Sequence, residues 1–397
     1  DRRIGEEWIV DVICRLAGVE RARLQTEKVE DPAESEIYRL VRDFLRSSQI
    51  SPSRVFVDPT GGKKSMSASA ALASFLYGSP LVYVDYRDYS KEHRIPLAGT
   101  EYPRLLTNPL EELGELEYRY IFQAFDRSDF TEARHLASRL AQRLYEPRQA
   151  ECIEKLASGY EHWDRFEFEQ SRDMLHEARS WIDRFASRGN WAWAPGLRRQ
   201  LDGNLRVLDE LERAQASQKP ASLEQGRILL AWYLASADRM LKAGKVSLAL
   251  LLVHAALERY VDLCLWIDHA LDDAEPDFRD VEDKIDQAKF ERAGRRLFDK
   301  SYREEGPRAP LMLRNGAQLL AALEPCRLDL DDLGPIRGVV VNRNKCEYTH
   351  GLSAKTPRRN EVERYLNKAV AIVGRLYDER AGLDADLHGC RFPKMLE

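Results

Sequence analysis

Two short stretches of this chain combine residue types that could do chemistry. The first is Arg54–Ser67, which reads RVFVDPTGGKKSMS. Val55, Phe56 and Val57 form an apolar run typical of a buried strand. Asp58-Pro59-Thr60-Gly61-Gly62 cannot continue it, because Pro59 lacks an amide donor and glycine tolerates unusual backbone. Lys63, Lys64 and Ser65 follow, and a helix-compatible run opens at Met66. Such a turn aims several amides and a helix N-terminus at one point, where a phosphate would be held. The stretch is neither a P-loop nor a GxGxxG fingerprint. Spacing alone therefore specifies an anion but not which one, and a plain strand-to-helix connection with solvated lysines fits the same pattern.

The second stretch is RNKCEYTH, Arg343–His350. Its Arg and His lie seven residues apart, about two helical turns or ~10 Å of rise on one face. Glu347 falls between them, Asn344 follows Arg343, and Gly351 marks a helix end. Arginine can steady charge developing on phosphoryl oxygens, and histidine can move a proton. No acidic cluster of metal-binding spacing accompanies them in the sequence, so a metal-independent reaction is expected. The nucleophile would be the RNA's own 2′-hydroxyl, which DNA lacks. A rise of about 10 Å restricts a one-helix site. Two such helices facing each other across a dimer axis would place two Arg–His sets around one strand. The competing reading is an Arg–Glu surface bridge with a helix-capping histidine.

These residues need elements to place them. Helical periodicity predicts a helix over residues 1–18 and another from Asp31, with strands at Ala22–Thr26, Val55–Val57 and Pro80–Val84, and an edge strand at Arg94–Leu97. This order predicts an open, Rossmann-like parallel α/β sheet with helices on both faces, its first strand missing before Asp1. Such sheets bind ligands at strand carboxyl ends, which here means Thr26, Asp58–Lys64 and Asp85. Pro103–Pro109 leads out. From Glu111 to about Ala214 the pattern is helical throughout. Two segments there, DFTEARHLASRL and EFEQSRDMLHEA, lie 38 residues apart, the period of helical-hairpin repeats; antiparallel packing without a repeat is the alternative. Trp191 and Trp193 could dock a partner or anchor a core. A polar break at Gln215–Ser222 precedes helices at Leu223–Leu241 and Val246–Asp268, the latter carrying His254, Glu258 and Arg259 in its apolar stripe. Asp272–Pro310 reads as a charged insertion with little apolar surface, Leu311–Leu323 and Asn360–Tyr377 as helices, and the tail from Arg380 as irregular. The predicted domains are 1–105, 106–222 and 223–380, with a tail at 381–397.

Lys plus Arg numbers 61 against 66 Asp plus Glu, a net charge of −5. This excludes bulk nonspecific nucleic-acid binding through a basic surface but not a local basic groove. The six cysteines form no CxxC pair and read as reduced thiols of a cytoplasmic protein without a zinc site. The longest apolar run, Val246–Ile267, is broken by charged residues, so no membrane span is expected.

Both chemical stretches resemble one family. DPTGGKKSMS (Asp58–Ser67) resembles the signature loop of CARF domains, and RNKCEYTH fits the Arg-x(4–6)-His motif of HEPN ribonucleases at its longest spacing. The long helix carrying Glu258 resembles the first HEPN helix. The order of sensor, helical connector and HEPN bundle also agrees, over about residues 1–105 and 223–377. The chain is thereby identified as a member of the CARF–HEPN ribonucleases of type III CRISPR systems.

The resemblance implies that a cyclic oligoadenylate binds the paired sensor domains through Thr26, Asp58, Thr60, Gly61, Gly62, Lys63, Lys64, Ser65, Met66 and Asp85. It further implies a homodimer that cuts single-stranded RNA with Arg343, Asn344 and His350, without a metal or other cofactor. A non-catalytic sensor or scaffold is the second reading. A nucleotide-dependent transcription regulator ranks below both, since no basic recognition helix is evident.

Overall fold

The computed structural model describes residues 3–4, 7–29, 33–93, 95–216, 219–272, 276–298, 311–346, 348 and 355–395. They divide into two compact units, Asp1–Leu116 and Glu117–Glu397.

The first unit begins with a two-stranded hairpin, β1 (Arg3–Ile4) and β2 (Glu7–Trp8), followed by α1 (Ile9–Ala17) and α2 (Ala33–Ser47). The glycine turn leads into α3 (Lys64–Tyr77). Then come β3 (Leu81–Tyr86), the short pair β4 (Tyr89–Ser90) and β5 (Ile95–Pro96), β6 (Glu101–Leu106) and α4 (Pro109–Leu113). The expected open parallel sheet is not what the described residues form. β3 pairs antiparallel with β6, from Leu81 opposite Leu106 to Tyr86 opposite Glu101. Parallel pairing is confined to one bridge, Val57 to Leu81, where the Val57 amide donates to the Pro80 carbonyl at 3.0 Å and the Val82 amide donates to the Val57 carbonyl at 2.9 Å. Ala22–Thr26 is not a strand. Arg21–Arg23 forms a single 3-10 turn, and the Arg21 guanidinium donates to the Leu24 carbonyl at 3.0 Å, satisfying locally an acceptor that a ladder would use. Pro103, read as part of the exit, instead lies within β6, which pairs with β3 alone and so tolerates a missing amide.

The second unit is helical among the described residues. α5 (Glu115–Asp126) leads into it, followed by α6 (Phe130–Ala141), α7 (Arg148–Asp164), α8 (Phe168–Gly189), α9 (Ala194–Ala216), α10 (Leu223–Lys242), α11 (Val246–His269), α12 (Gln287–Phe298), α13 (Leu313–Leu320), α14 (Leu330–Arg343), α15 (Arg359–Val373) and α16 (Arg380–Gly389). Two apolar cores result. One is built by α5 to α9, the other by α11 to α15. α10 serves both. Its Trp232 and Ala235 enter the first core, whereas Leu230, Leu234, Ala237 and Leu241 enter the second.

The two look-alike segments share a local geometry. Ser128 and Phe166 both take positive φ, 59° and 61°. Asp129 and Glu167 follow as N-caps with nearly equal dihedrals, −90°/70° and −92°/69°. Phe130 and Phe168 are then buried, as are Ala133 and Ser171. A third turn repeats this between α10 and α11. Gly244 takes φ 76°, Lys245 caps at −83°/64°, and Ala249 is buried. The similarity is therefore that of a recurring helical-hairpin turn.

Trp191 and Trp193 are buried and stacked at 5.7 Å, as core anchors. The Asp272–Pro310 segment buries more apolar surface than its charge suggests, since Phe278, Val281, Phe290, Ala293 and Leu297 all enter the second core. The tail is not irregular from Arg380 on. It forms α16, and beyond it Phe392 packs among Phe130, Tyr160, Trp163 and Trp232 at 4.9–5.8 Å between ring centres.

Candidate functional site

The glycine turn is fixed by its own side chains. Asp58 Oδ1 accepts from the Thr60 amide at 2.9 Å and from the Thr60 hydroxyl at 2.5 Å. The same hydroxyl oxygen accepts from the Val84 amide at 2.9 Å, which seats the turn beside β3. Ser67 Oγ donates to the Pro59 carbonyl at 2.7 Å and closes the turn from the helix side. Gly62 is required for space, because a Cβ there would meet Ser67 Oγ at 3.2 Å. Its amide donates to the Pro59 carbonyl at 3.1 Å, so this donor is spent inside the turn. No side chain caps the N-terminus of α3. The first amides of that helix, from Lys64 through Met66, have no partner within the helix. Gly61, Gly62, Lys63 and Lys64 are exposed, while Ser65 and Met66 are half-buried.

The structure brings Asp85 to the same place. It follows Val84 in β3, and its carboxylate meets Arg104 and the Tyr102 hydroxyl, each at 3.4 Å, and accepts from the Tyr86 amide at 3.0 Å. Asp58 and Thr60 thus stand beside Asp85 with their side chains committed to the scaffold. Lys63 and Lys64 are the cations facing solvent. Thr26 is exposed in irregular chain, and no hydrogen bond among the described residues joins it to the turn.

The second constellation is held by α14. Asp329 and Asp332 form a capping box at its start, each side chain answering the other's backbone. Asp332 is fully buried and also meets Arg375, at 2.5 Å, and Lys368, at 2.9 Å. Burial alone would raise the Asp332 carboxyl, but the hydrogen bonds from Arg375 and Lys368 prevail and hold it below the ordinary aspartate value. Gly338 lets α15 come close, since a Cβ there would meet the Tyr365 hydroxyl at 2.7 Å. That hydroxyl accepts from the Asn342 amide at 2.9 Å, one residue before Arg343. Sequence reasoning misses Asn342, Tyr365 and Asp332. The capping box around Asp329 and Asp332 is the one signal there to find.

α14 ends at Arg343, which corrects the expectation that Arg343 and His350 share one helix. Asn344 is the C-cap, and the Cys346 amide donates to the Arg343 carbonyl at 3.3 Å. Asparagine competes with the helix for backbone hydrogen bonds, and burial of Cys346 draws the chain inward. The Lys355 amide donates to the Lys345 carbonyl at 3.1 Å, so the chain returns to where it left the helix. His350 and Glu347 lie outside the described residues. The ~10 Å separation of a continuous helix therefore does not apply. Arg343 is half-buried and donates to the Asn344 side-chain oxygen at 3.1 Å.

α11 packs against α14. Along α11, His254 and Glu258 sit one turn apart, with Nδ1 and Oε2 separated by 3.8 Å. Burial pushes the His254 imidazole below its ordinary value; Glu258 opposes this and Arg343 reinforces it. Arg259 projects instead over the Tyr233 ring, at 4.8 Å.

A cleft of about 1140 Å³ opens elsewhere in this unit, where the turns before α6 and α11 meet the end of α7 and the Arg391–Lys394 tail. Its charges are largely matched, with Glu161 bridged by Arg134 and Arg165, Asp164 by Arg239, and Asp238 by Lys242. Among the described residues no group of His, Cys, Asp and Glu could hold a metal ion, and no helix is long and apolar enough to cross a membrane. All six cysteines are free. Burial pushes the Cys152 and Cys264 thiols up to about 12, which suits packing and not nucleophilic attack.

Residues 113–200 match the family model described as the Csm6 6H domain. The CRISPR system endoribonuclease Csm6 of Thermus thermophilus is 29% identical over 233 residues, covering 56% of this chain and 44% of that protein. The chain thus spans less than half the length of this curated relative. The solved structure of Enterococcus italicus Csm6 bound to cyclic hexa-2′-fluoro-hexa-dAMP is 12% identical, covers 92% of this chain and 80% of its own, and superposes with a TM-score of 0.43; at that score the likeness carries no argument. The 6H domain and the curated relative, joined to the sensor-like and nuclease-like motifs at either side, tie this chain to the Csm6-type CARF–HEPN family.

Proposed function

We propose that this protein is a single-stranded RNA endoribonuclease of a type III CRISPR system, activated allosterically by a cyclic oligoadenylate. Residues 1–105 would act as the sensor, 106–222 as a helical connector and 223–380 as the HEPN nuclease, with 381–397 as a tail. The sensor would belong to a Rossmann-like sheet extending beyond the β3–β6 pair. The observation that carries the reading is the placement of Arg343. It is a half-buried guanidinium at the free end of a braced helix, beside Asn344 and facing the His254–Glu258 pair of α11.

In the proposed reaction the 2′-oxygen attacks the adjacent phosphorus and loses its proton. The bond from phosphorus to the 5′-oxygen breaks, and that oxygen gains a proton. The products are a 2′,3′-cyclic phosphate and a 5′-hydroxyl. Arg343 would neutralise charge on the phosphoryl oxygens, Asn344 would orient it, and His350 would serve as the general acid or base. No metal or other cofactor enters these steps. One Arg–His set per chain makes a homodimer the natural assembly. The activator's phosphates would lie against Lys63, Lys64 and the open amides at the start of α3, next to Asp85. The ligand would shift the equilibrium between two global states only as far as its affinities for them differ.

The decisive experiment is cleavage of a short RNA with and without each cyclic oligoadenylate, with mass spectrometry of the ends and a cleavage-site 2′-deoxy control. Activator-dependent cleavage that leaves cyclic phosphate, persists in EDTA and spares the deoxy control is expected. Cleavage of that control at the same rate would refute the mechanism. Tight activator binding with no cleavage of any RNA would leave the scaffold reading in its place.

A further inference from the structure

The long helix α11 carries one charged pair within an otherwise apolar stripe. Val253, Ala256, Leu257, Tyr260 and Val261 are buried in the same core as Ile336, Val339 and Val340 of α14. Arg343 extends that α14 stripe, falling seven, four and three residues beyond those three positions. The stripe of α14 thus turns from apolar to cationic where the helix ends. His254 flanks the stripe of α11 with its side chain only 12% exposed, and Glu258 stands one turn on, 36% exposed.

We propose that His254 is a positioning residue for the RNA-cleaving site, setting the placement of the Arg343 guanidinium between α11 and the end of α14. The inference rests on the ribonuclease reading of Arg343. Two charged groups act on the ring: Glu258 from its own helix and Arg343 from α14. An uncharged imidazole can lie against a guanidinium and present a ring nitrogen as acceptor. An imidazolium cannot, because two like charges in a partly buried site repel. The environment favours the uncharged form, since burial and Arg343 both disfavour the proton while Glu258 alone retains it. Glu258 then has a second use, restraining one ring nitrogen while the other faces away. A guanidinium misplaced by an ångström can lose about 10²-fold in rate, so a residue that never touches RNA can still set turnover.

The test uses the full chain with activator and RNA. H254A is expected to lower kcat by about ten- to a hundredfold with KM, activator affinity and dimerisation unchanged. H254Q, which keeps a polar atom in the ring's place, is expected to recover part of that loss. The acid limb of the pH–rate profile should change in H254Q, because the group that charges there is gone. A second measurement needs no folded His254 variant. Titration of the His254 ring by NMR in wild-type protein and in R343A should show its pKa rising when the guanidinium is removed. Wild-type kcat and pH profile in H254A and H254Q would overturn the inference if R343A is inactive, as would an unshifted ring titration in R343A. Full activity in R343A would instead overturn the ribonuclease reading itself.

Discussion

The glycine turn and the Arg343 end of α14 would both hold phosphate, yet they are built in opposite ways. Asp58, Pro59, Thr60, Gly62 and Ser67 fix the turn among themselves, and Val84 is the one outside partner. Arg343 depends on residues far from it in sequence: Tyr365 through Asn342, Arg375 and Lys368 through Asp332, and His254 across from α11. A contiguous exposed loop can change its ligand contacts without disturbing a core. A guanidinium braced by three helices cannot, because each brace also holds the bundle together. The first site should therefore separate binding from stability, and the second should mix activity with stability.

The largest expected effect tests the arginine end directly. R343A and H350A should each lose about 10²–10³ in cleavage rate while binding the activator as wild type does in calorimetry. Weakened activator binding in either variant would mean that the two sites are not built independently.

Next comes the brace. D332N should lower unfolding free energy by about 3 kcal/mol, the lower end for a broken buried ion pair, because its partners Arg375 and Lys368 remain 33% and 35% exposed. The Asp332 carboxyl titrates lower in the folded chain than in the unfolded one. Its stabilising contribution is thus complete above the ordinary aspartate value and is lost as pH falls through the folded value. Urea titrations of wild type and D332N should converge in acid. Curves that stay parallel below about pH 4, the ordinary aspartate range, would show that the carboxylate is not the brace.

The turn should respond in the reverse sense. K64A and G62V are expected to weaken activator binding about ten- to a hundredfold, the loss of one charge-assisted contact, with no change in melting temperature. Unchanged affinity in both would reduce the turn to a connector.

The smallest effect concerns the scaffold between these sites. Gly244 occupies the positive-φ position that Ser128 and Phe166 fill elsewhere, with no atom within 4 Å of an added Cβ. G244A should cost about 1–2 kcal/mol from backbone strain alone, measured by thermal unfolding. A neutral outcome would show that the three turns do not share one constraint.

The helices of the second unit are legible in the sequence because burial on one face writes a 3.6-residue period into the chain. The glycine turn is legible for a related reason: every group that shapes it is nearby in sequence. The sheet is not, because apolar runs such as Val55–Val57 do not state their strand partners or directions; pairing is decided by what lies alongside. Likewise, the sequence places Arg343 seven residues before His350, but not where the helix stops. That was decided by Asn344 as C-cap, by the burial of Cys346 and by the return of Lys355 to Lys345. The middle region carries no chemical motif and reads as a connector, although residues 113–200 are the ones a family model matches. Residue types and local spacing determined which groups could act on phosphate. Which of them meet was decided by tertiary packing, since contacts such as His254 with Arg343 join helices that are distant in sequence.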